Sequence, residues 1–172
     1  MTETQSTQVE RTSQPAAAPA LTPTARATIR VLNALIETCK DGEKGYRNAA
    51  SDVRDPTMRG VFLAYSDQRS HFAGELQRMV HGLGAVPENN GTLRGALRRG
   101  WMDLISALEG TSEHRVFMVC ERAEETAMQR YEDALREDSA SLTPAIVARV
   151  ETQYAEILRA HGDIRRRRLG NG

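Results

Sequence analysis

Apolar residues recur every three or four positions along most of this chain, a spacing that indicates amphipathic helices. It predicts four long helices, at about residues 24–53, at 56–83, from about 112 and from about 144. The side chains predicted to face inward in the first two are Leu32, Leu35, Ile36, Cys39, Tyr46, Ala50 and Val53, then Val61, Phe62, Tyr65, Phe72, Leu76, Met79 and Leu83. Those predicted to face inward in the last two are Val116, Val119, Cys120, Ala123, Ala127, Tyr131 and Leu135, then Ile146, Val147, Val150, Tyr154, Ile157, His161 and Ile164.

Proline and glycine mark the predicted helix ends. Asp55-Pro56 ends the first helix and starts the second, because proline suits a first helical turn and disfavours helix just before it. Gly84 stops the second helix, and Thr143-Pro144 starts the last one. These local signals divide the chain into two helical hairpins.

A loop at residues 87–92 and a shorter helix to about Leu108 join the two hairpins. The apolar stripe of this helix is predicted to be Leu93, Leu97, Trp101, Leu104 and Leu108. At about 1.5 Å per residue the helix is long enough to carry the chain back along most of the bundle. The stripe fits a cover for the core and a dimer interface equally well, so both interpretations stay open.

The predicted fold is therefore all-α, a ferritin-like four-helix bundle with an additional crossover helix, in the order up, down, return, down, up. Residues 1–23 are rich in Thr, Ser, Gln, Ala and Pro and are predicted to be a disordered tail, with a tether or adaptor role as the lesser alternative. The bundle domain is predicted at 24–169, followed by a flexible C-terminus at 170–172.

Composition narrows the classes of function. The 172 residues carry a formal net charge of +0 and are 40% apolar, so we expect a globular protein with no nucleic-acid partner. We also expect no membrane span and no export signal. The two cysteines lack Cys-x-x-Cys spacing, which favours reduced thiols and a cytoplasmic location.

An approximate internal duplication places matching polar residues on both hairpins. Cys39-x-x-x-Glu43 recurs 81 residues later as Cys120-x-x-x-Glu124. Counting along the helices puts Glu43 and Glu124 within roughly 5 Å of the same height. Both are predicted to face inward, so the duplication indicates a buried layer of carboxylates.

Such a layer is typical of bundles that hold two metal ions, which need one Glu from each of two helices and Glu-x-x-His from each of the others. The corresponding pairs here are Gln68-x-x-His71 and Gln153-x-x-Glu156. A neutral amide is a poor ligand for a hard metal ion.

The candidate metal ligands are accordingly Glu43, Gln68, His71 and Glu124, to which His161 could add an imidazole. The favoured alternative is a hydrogen-bonded network around the two Glu side chains, made by the neighbouring Gln and Tyr residues of the second and fourth helices: Tyr65, Gln68, Gln153 and Tyr154.

The segment Leu32-Asn33-x-Leu35-Ile36-Glu37-x-Cys39-Lys40-Asp41-Gly42-Glu43-x-Gly45-Tyr46, together with Arg99-Gly100-Trp101-Met102-Asp103-Leu104 and Cys120-Glu121-Arg122, resembles a bacterial four-helix-bundle family of unknown function. The resemblance covers roughly residues 28–168, and that family is placed in the ferritin-like superfamily. It implies a bundle without implying an activity. Rubrerythrins and ferritins, its distant relatives, are iron proteins, but Gln68 and Gln153 stand where they have Glu, and Glu156 stands where one His belongs.

The function expected from the sequence is that of a non-enzymatic, cytoplasmic structural or interaction protein, with the stress response as the setting that the superfamily suggests. Its partner would be a second copy of the chain or another protein, and no cofactor is expected. The alternative is a carboxylate metal protein that uses iron or manganese for metal storage or for peroxide or oxygen chemistry.

Overall fold

A computed structural model of the protein describes residues 21–87, 94–108, 112–136 and 138–170, with the backbone alone at 94–99 and 112. These residues form the helices α1 (Pro23–Asp52), α2 (Pro56–Gly82), α3 (Arg94–Ser106), α4 (Ser112–Arg136) and α5 (Pro144–Gly170), with a short 3-10 turn at Ser139–Ser141. The described ranges contain helix and no strand, so the all-α prediction is confirmed. Most of the predicted tail, the loop at 88–92, the Leu93 and Leu97 side chains and the last two residues lie outside them.

The helix ends follow the local signals of the sequence. At the start of α2 the Asp55 side chain accepts a hydrogen bond from the Thr57 amide at 2.8 Å, which satisfies an amide that has no partner within the helix. Gly84 has a φ of +78°, a left-handed conformation that ends a helix and favours glycine. Pro144 begins α5 behind Thr143. The boundaries predicted at these positions are confirmed.

The four long helices pack as antiparallel neighbours. Tyr46 of α1 bonds to Glu124 of α4, and Cys39, seven residues earlier, bonds to Tyr131, seven residues later, so α1 and α4 run in opposite directions. The hydrogen bonds between α2 and α5 follow the same rule. Because α1 and α2 also form a hairpin, the connection that contains α3 returns along the bundle before α4 begins.

The buried apolar side chains form two clusters with a polar layer between them. The first cluster contains Leu32, Leu76 and Ile157, and the second contains Phe62 and Phe117. The inward face predicted for α1 is buried throughout, as expected. The prediction is wrong for the alanine at position 123, which is exposed because it lies beside a cavity between α1 and α4.

Helix α3 covers the second cluster through Trp101 and Ile105, which are 8% and 9% exposed. The Trp101 ring lies against α1, 3.9 Å from where a Cβ on Gly45 would be, and its Nε1 donates to Asp52 Oδ2 at 2.7 Å. These contacts turn Leu104 outward to 38% exposure, so the predicted stripe is wrong at that position. The core-cover interpretation of this helix is therefore observed.

Candidate functional site

The polar layer at the centre of the bundle is built on a buried ion pair between Arg69 of α2 and Glu124 of α4. Arg69 Nη2 donates to both carboxylate oxygens of Glu124, at 2.8 and 2.6 Å. Both side chains are 2% exposed, and Arg69 is the largest fully buried side chain of the described chain. A fully buried arginine is rare unless it is paired, so the contact with Glu124 is what allows Arg69 to be buried.

Hydrogen bonds extend from the ion pair to all four long helices. Tyr46 of α1 donates to Glu124 Oε1 at 2.7 Å. Arg69 Nη1 donates to Gln68 Oε1 at 2.7 Å, and the Gln68 amide in turn donates to Glu156 of α5 at 2.8 Å. The layer therefore joins α1, α2, α4 and α5 at one height.

Electrostatics keeps Arg69 charged and keeps the Tyr46 hydroxyl and the Cys120 thiol protonated. Burial alone would lower the pKa of Arg69, but the negative charge of Glu124 and the hydrogen bonds to it together outweigh burial, so this pKa is raised above its usual value. Burial, and then the negative charge of Glu124, raise the pKa of Tyr46. The same two causes raise the pKa of the Cys120 thiol. None of these groups is activated as a nucleophile or as a general base at neutral pH.

Two features of the sequence explain why Arg69 is buried: its position on α2 and the glycine that faces it on α1. Arg69 lies seven residues from both Phe62 and Leu76, so it falls on the apolar stripe of α2. On α1, Gly42 faces it, and a Cβ there would be only 3.2 Å from Arg69 Cγ and 3.3 Å from Cδ. Sequence reasoning missed Arg69, although its seven-residue spacing from two buried side chains was a signal for it.

A second polar layer lies about 10 Å from the central layer along the bundle axis, because Cys39 is seven residues from Tyr46 and Tyr131 is seven residues from Glu124. Cys39 is within 3.1 Å of the Tyr131 hydroxyl, which donates to Gln153 Oε1 at 2.7 Å. The Gln153 amide then donates to Glu75 at 2.9 Å, near the surface. Burial raises the pKa of Cys39 to about 11, so the thiol is protonated and inert here.

The sequence-predicted metal ligands are separated rather than gathered. Glu43, predicted to face Glu124, is 22% exposed and pairs with Arg47 one turn along α1. His71 is 67% exposed and lies 3.5 Å from Glu75 on the same helix. The expectation of two matched inward carboxylates is therefore wrong for Glu43, because Gly42 and not Glu43 occupies the inward position. Metal binding by these residues stays a prediction.

The expected network around the carboxylates exists with different partners. Gln68 belongs to the central layer, whereas Gln153 belongs to the second layer. Tyr65 donates to Asp163 of α5 at 2.9 Å and does not join either layer through that bond. The hydroxyl partner of Glu124 is Tyr46.

His161, the last of the predicted ligands, lies with a different pair of carboxylates. Its closest acidic neighbour is Glu125, with 3.9 Å between Nε2 and Oε1. One ligand atom each from Glu121, Glu125 and His161 lie within 4.8 Å of one another, and no other such group of three or more occurs in the described part of the chain.

A cavity of about 400 Å³ separates α1 from α4 beside the ion pair. Gly42 and Gly45 are among the residues that line it on α1, Trp101 lines it on α3, and Arg69 and Glu124 also contribute to its wall. The two glycines contribute to the gap, because neither has a side chain to fill the space between α1 and α4.

The described residues thus define an all-helical bundle with a buried Arg–Glu pair in its central layer. The chain belongs to a family described as a domain of unknown function (DUF2383), whose model matches residues 27–137. That range contains both members of the ion pair and confirms the expected membership of a family of unknown function. No curated protein matches the chain. Within the described ranges, no helix has both the length and the apolar character that crossing a membrane requires.

Proposed function

We propose that this protein is a ferritin-like bundle with a structural or interaction role in a bacterial cytoplasm, and that it is not an enzyme. The observation that carries the proposal is the buried pair of Arg69 and Glu124. In a metal-holding bundle the buried carboxylates are neutralised by the ions they bind. Here the guanidinium of Arg69, part of the chain itself, neutralises the central carboxylate.

The residues of this layer do not suit a di-metal centre. A divalent ion beside Glu124 would lie next to a guanidinium and be repelled by it. Glu43 points to the surface and His71 is exposed, so one carboxylate remains where a bridged pair of ions needs several. No catalytic step is therefore assigned to this layer. The free, buried state of both cysteines supports the proposed cytoplasmic location.

Metal analysis tests the proposal. Protein purified without an affinity tag is loaded anaerobically with ferrous iron or manganese, desalted and analysed, as wild type and as Glu124→Gln. The expected result is that the Glu124→Gln variant retains the same amount of metal as the wild type. Two ions per chain that depend on Glu124, with oxidase or peroxidase activity, would overturn the non-enzymatic proposal.

The outer surface of α3 favours an interaction role over a purely internal one. Met102 and Leu104 are 45% and 38% exposed on a helix whose opposite side covers the core. They lie on the two flanks of α3, because residues two positions apart on a helix do not face each other, and both flanks therefore offer apolar side chains to a partner. The simplest occupant is a second copy of the chain, which a measured mass detects directly.

Sedimentation equilibrium tests this part of the proposal. The wild type is expected to gain mass with concentration, and the double variant Met102→Gln, Leu104→Gln is expected to stay monomeric. Leu158→Gln is the matched control, because Leu158 is an exposed leucine (40%) of α5 rather than of α3. A wild type that is monomeric at all concentrations would refute self-association through α3.

A further inference from the structure

A cluster of metal-binding side chains lies on the other side of α4 from the cavity and joins α4 to α5. Glu121 and Glu125 are four residues apart, so they share one face of α4. His161 of α5 faces them, and one ligand atom from each of the three lies within 4.8 Å of the others. Two carboxylates and one imidazole from two helices therefore converge on one point.

One ring nitrogen of His161 lacks a hydrogen-bond partner. Its Nε2 atom is buried without any such partner, and the nearest carboxylate oxygen, on Glu125, is 3.9 Å away, too far for a hydrogen bond. Leaving a buried polar atom unsatisfied costs about 1–3 kcal/mol, so such atoms are normally provided with a partner. The orphaned nitrogen points to a ligand between the imidazole and the carboxylates.

The surroundings hold one carboxylate in place. Arg168 Nε donates to Glu121 Oε2, and Arg165 Nε lies 4.0 Å from the other oxygen, Oε1. Glu121 is 13% exposed and His161 16%, whereas Glu125 is 60% exposed and free to turn. Arg168 is 24% exposed and Arg165 62%, so water screens their charges far better than that of the buried Arg69, and Glu121 Oε1 keeps its lone pairs for a metal ion.

We propose that Glu121, Glu125 and His161 form a mononuclear site for a divalent transition-metal ion, with Zn²⁺ as the best fit. One nitrogen and two oxygen ligands, with water completing the shell, suit Zn²⁺, whose bonds to such atoms are about 2.0–2.2 Å. Ligand atoms around such an ion lie roughly 3.3 Å apart in a tetrahedron, so the exposed Glu125 closes the site by a small rotation. Zn²⁺ outcompetes Fe²⁺ and Mn²⁺ at most sites of this kind.

The bound ion would clamp α4 to α5. Its ligands come from two different helices and are brought together only when the chain folds, so an ion that binds only the folded chain stabilises it. This site is separate from the Glu124 layer, and the inference does not rest on the proposed function.

Equilibrium dialysis of the full, untagged chain with Zn²⁺ or Co²⁺ tests the site. The expected result is one ion per chain, visible absorption with Co²⁺, and a rise of the melting temperature with Zn²⁺. His161→Gln should weaken binding at least tenfold and abolish the rise in melting temperature. His71→Gln is the matched control, because His71 is also a helical histidine beside a glutamate but lies outside the cluster.

A second variant guards against misfolding. Glu125→Gln changes an exposed residue, so it should fold normally by circular dichroism and still lose affinity for the ion. Glu43→Gln, at a carboxylate paired with Arg47 outside the cluster, should leave the affinity for the ion unchanged, which shows that the loss is specific to the cluster. No ion above background, or binding that His161→Gln leaves unchanged, would overturn the inference.

Discussion

Breaking the Arg69–Glu124 pair from one side should be among the most destabilising single changes in this bundle. Arg69→Met removes the guanidinium and leaves the Glu124 carboxylate with one hydrogen bond, from Tyr46, in a place that is 2% exposed. Stranding one partner of a buried pair costs about 3–5 kcal/mol. Glu124→Gln should cost a similar amount, because it leaves the charge of Arg69 without a counterion. For a protein of this length either change lowers the melting temperature by about 6–20 °C.

Urea unfolding followed by circular dichroism measures these costs, and a double-variant cycle isolates the pair. Arg69→Met combined with Glu124→Gln removes both charges and keeps an acceptor for the Tyr46 hydroxyl. We expect the double variant to be more stable than either single variant by about 1–3 kcal/mol.

The surface pair Glu43–Arg47 supplies the matched control. It has the same charges at 2.8 Å, but its side chains are 22% and 58% exposed. Glu43→Gln should therefore cost at most about 0.5 kcal/mol. If Arg69→Met and Glu124→Gln cost no more than this control, or if their effects simply add, the central role assigned to the pair is refuted.

Three further predictions concern the surroundings of the central layer. Gly42→Ala should gain no stability, because the new Cβ would press on the buried Arg69 side chain. Gly60→Ala, on the open side of α2, should raise the free energy of unfolding in urea by about 0.5–1 kcal/mol. Equal gains for the two variants would show that the contact between Gly42 and Arg69 is not tight. Cys39, whose pKa burial raises to about 11, and Cys120, whose pKa burial also raises, should resist a thiol reagent at pH 8 until urea unfolds the chain; rapid labelling in the native state would contradict this. Asp52→Ala should shift the fluorescence of the single tryptophan to longer wavelength and cost about 1 kcal/mol, because the indole loses its acceptor; an unchanged spectrum would mean that packing alone holds α3.

The helices could be predicted because their signals are local. Proline, glycine and capping residues act within a few positions, so the boundaries at Pro56, Gly84 and Pro144 needed no knowledge of the fold. The periodic apolar faces of α1 and α5 were equally direct. The stripe of α3 failed at Leu104 because the orientation of a short helix is set by its partners, here Gly45 and Asp52, and not by its own sequence.

The central layer was only half predictable. Glu124 lies on the stripe of α4 and was identified, but on α1 positions 42 and 43 both fit between Cys39 and Tyr46. The position that faces inward carries a glycine, so the sequence offered no side chain there and the neighbouring Glu43 was assigned instead. Arg69 was missed because a charged residue on an apolar stripe is ordinarily assigned to the surface unless its partner is known. Its partner Glu124 lies 55 residues further along the chain, so the pairing can be known only from the tertiary structure.

The ion pair lies between two apolar clusters, and this position lets it fix the register of the helices even if its net contribution to stability is small. Replacing a buried pair by apolar side chains is often neutral or stabilising, so stability alone does not explain it. Sliding α2 along α4 by one turn, about 5.4 Å, would separate the guanidinium of Arg69 from Glu124 and press each against apolar side chains. Only one register of the helices avoids that cost, and we infer that the pair selects it. The double variant without charges should therefore recover stability but show broader amide resonances than the wild type, and a spectrum as sharp as that of the wild type would refute the selection of register.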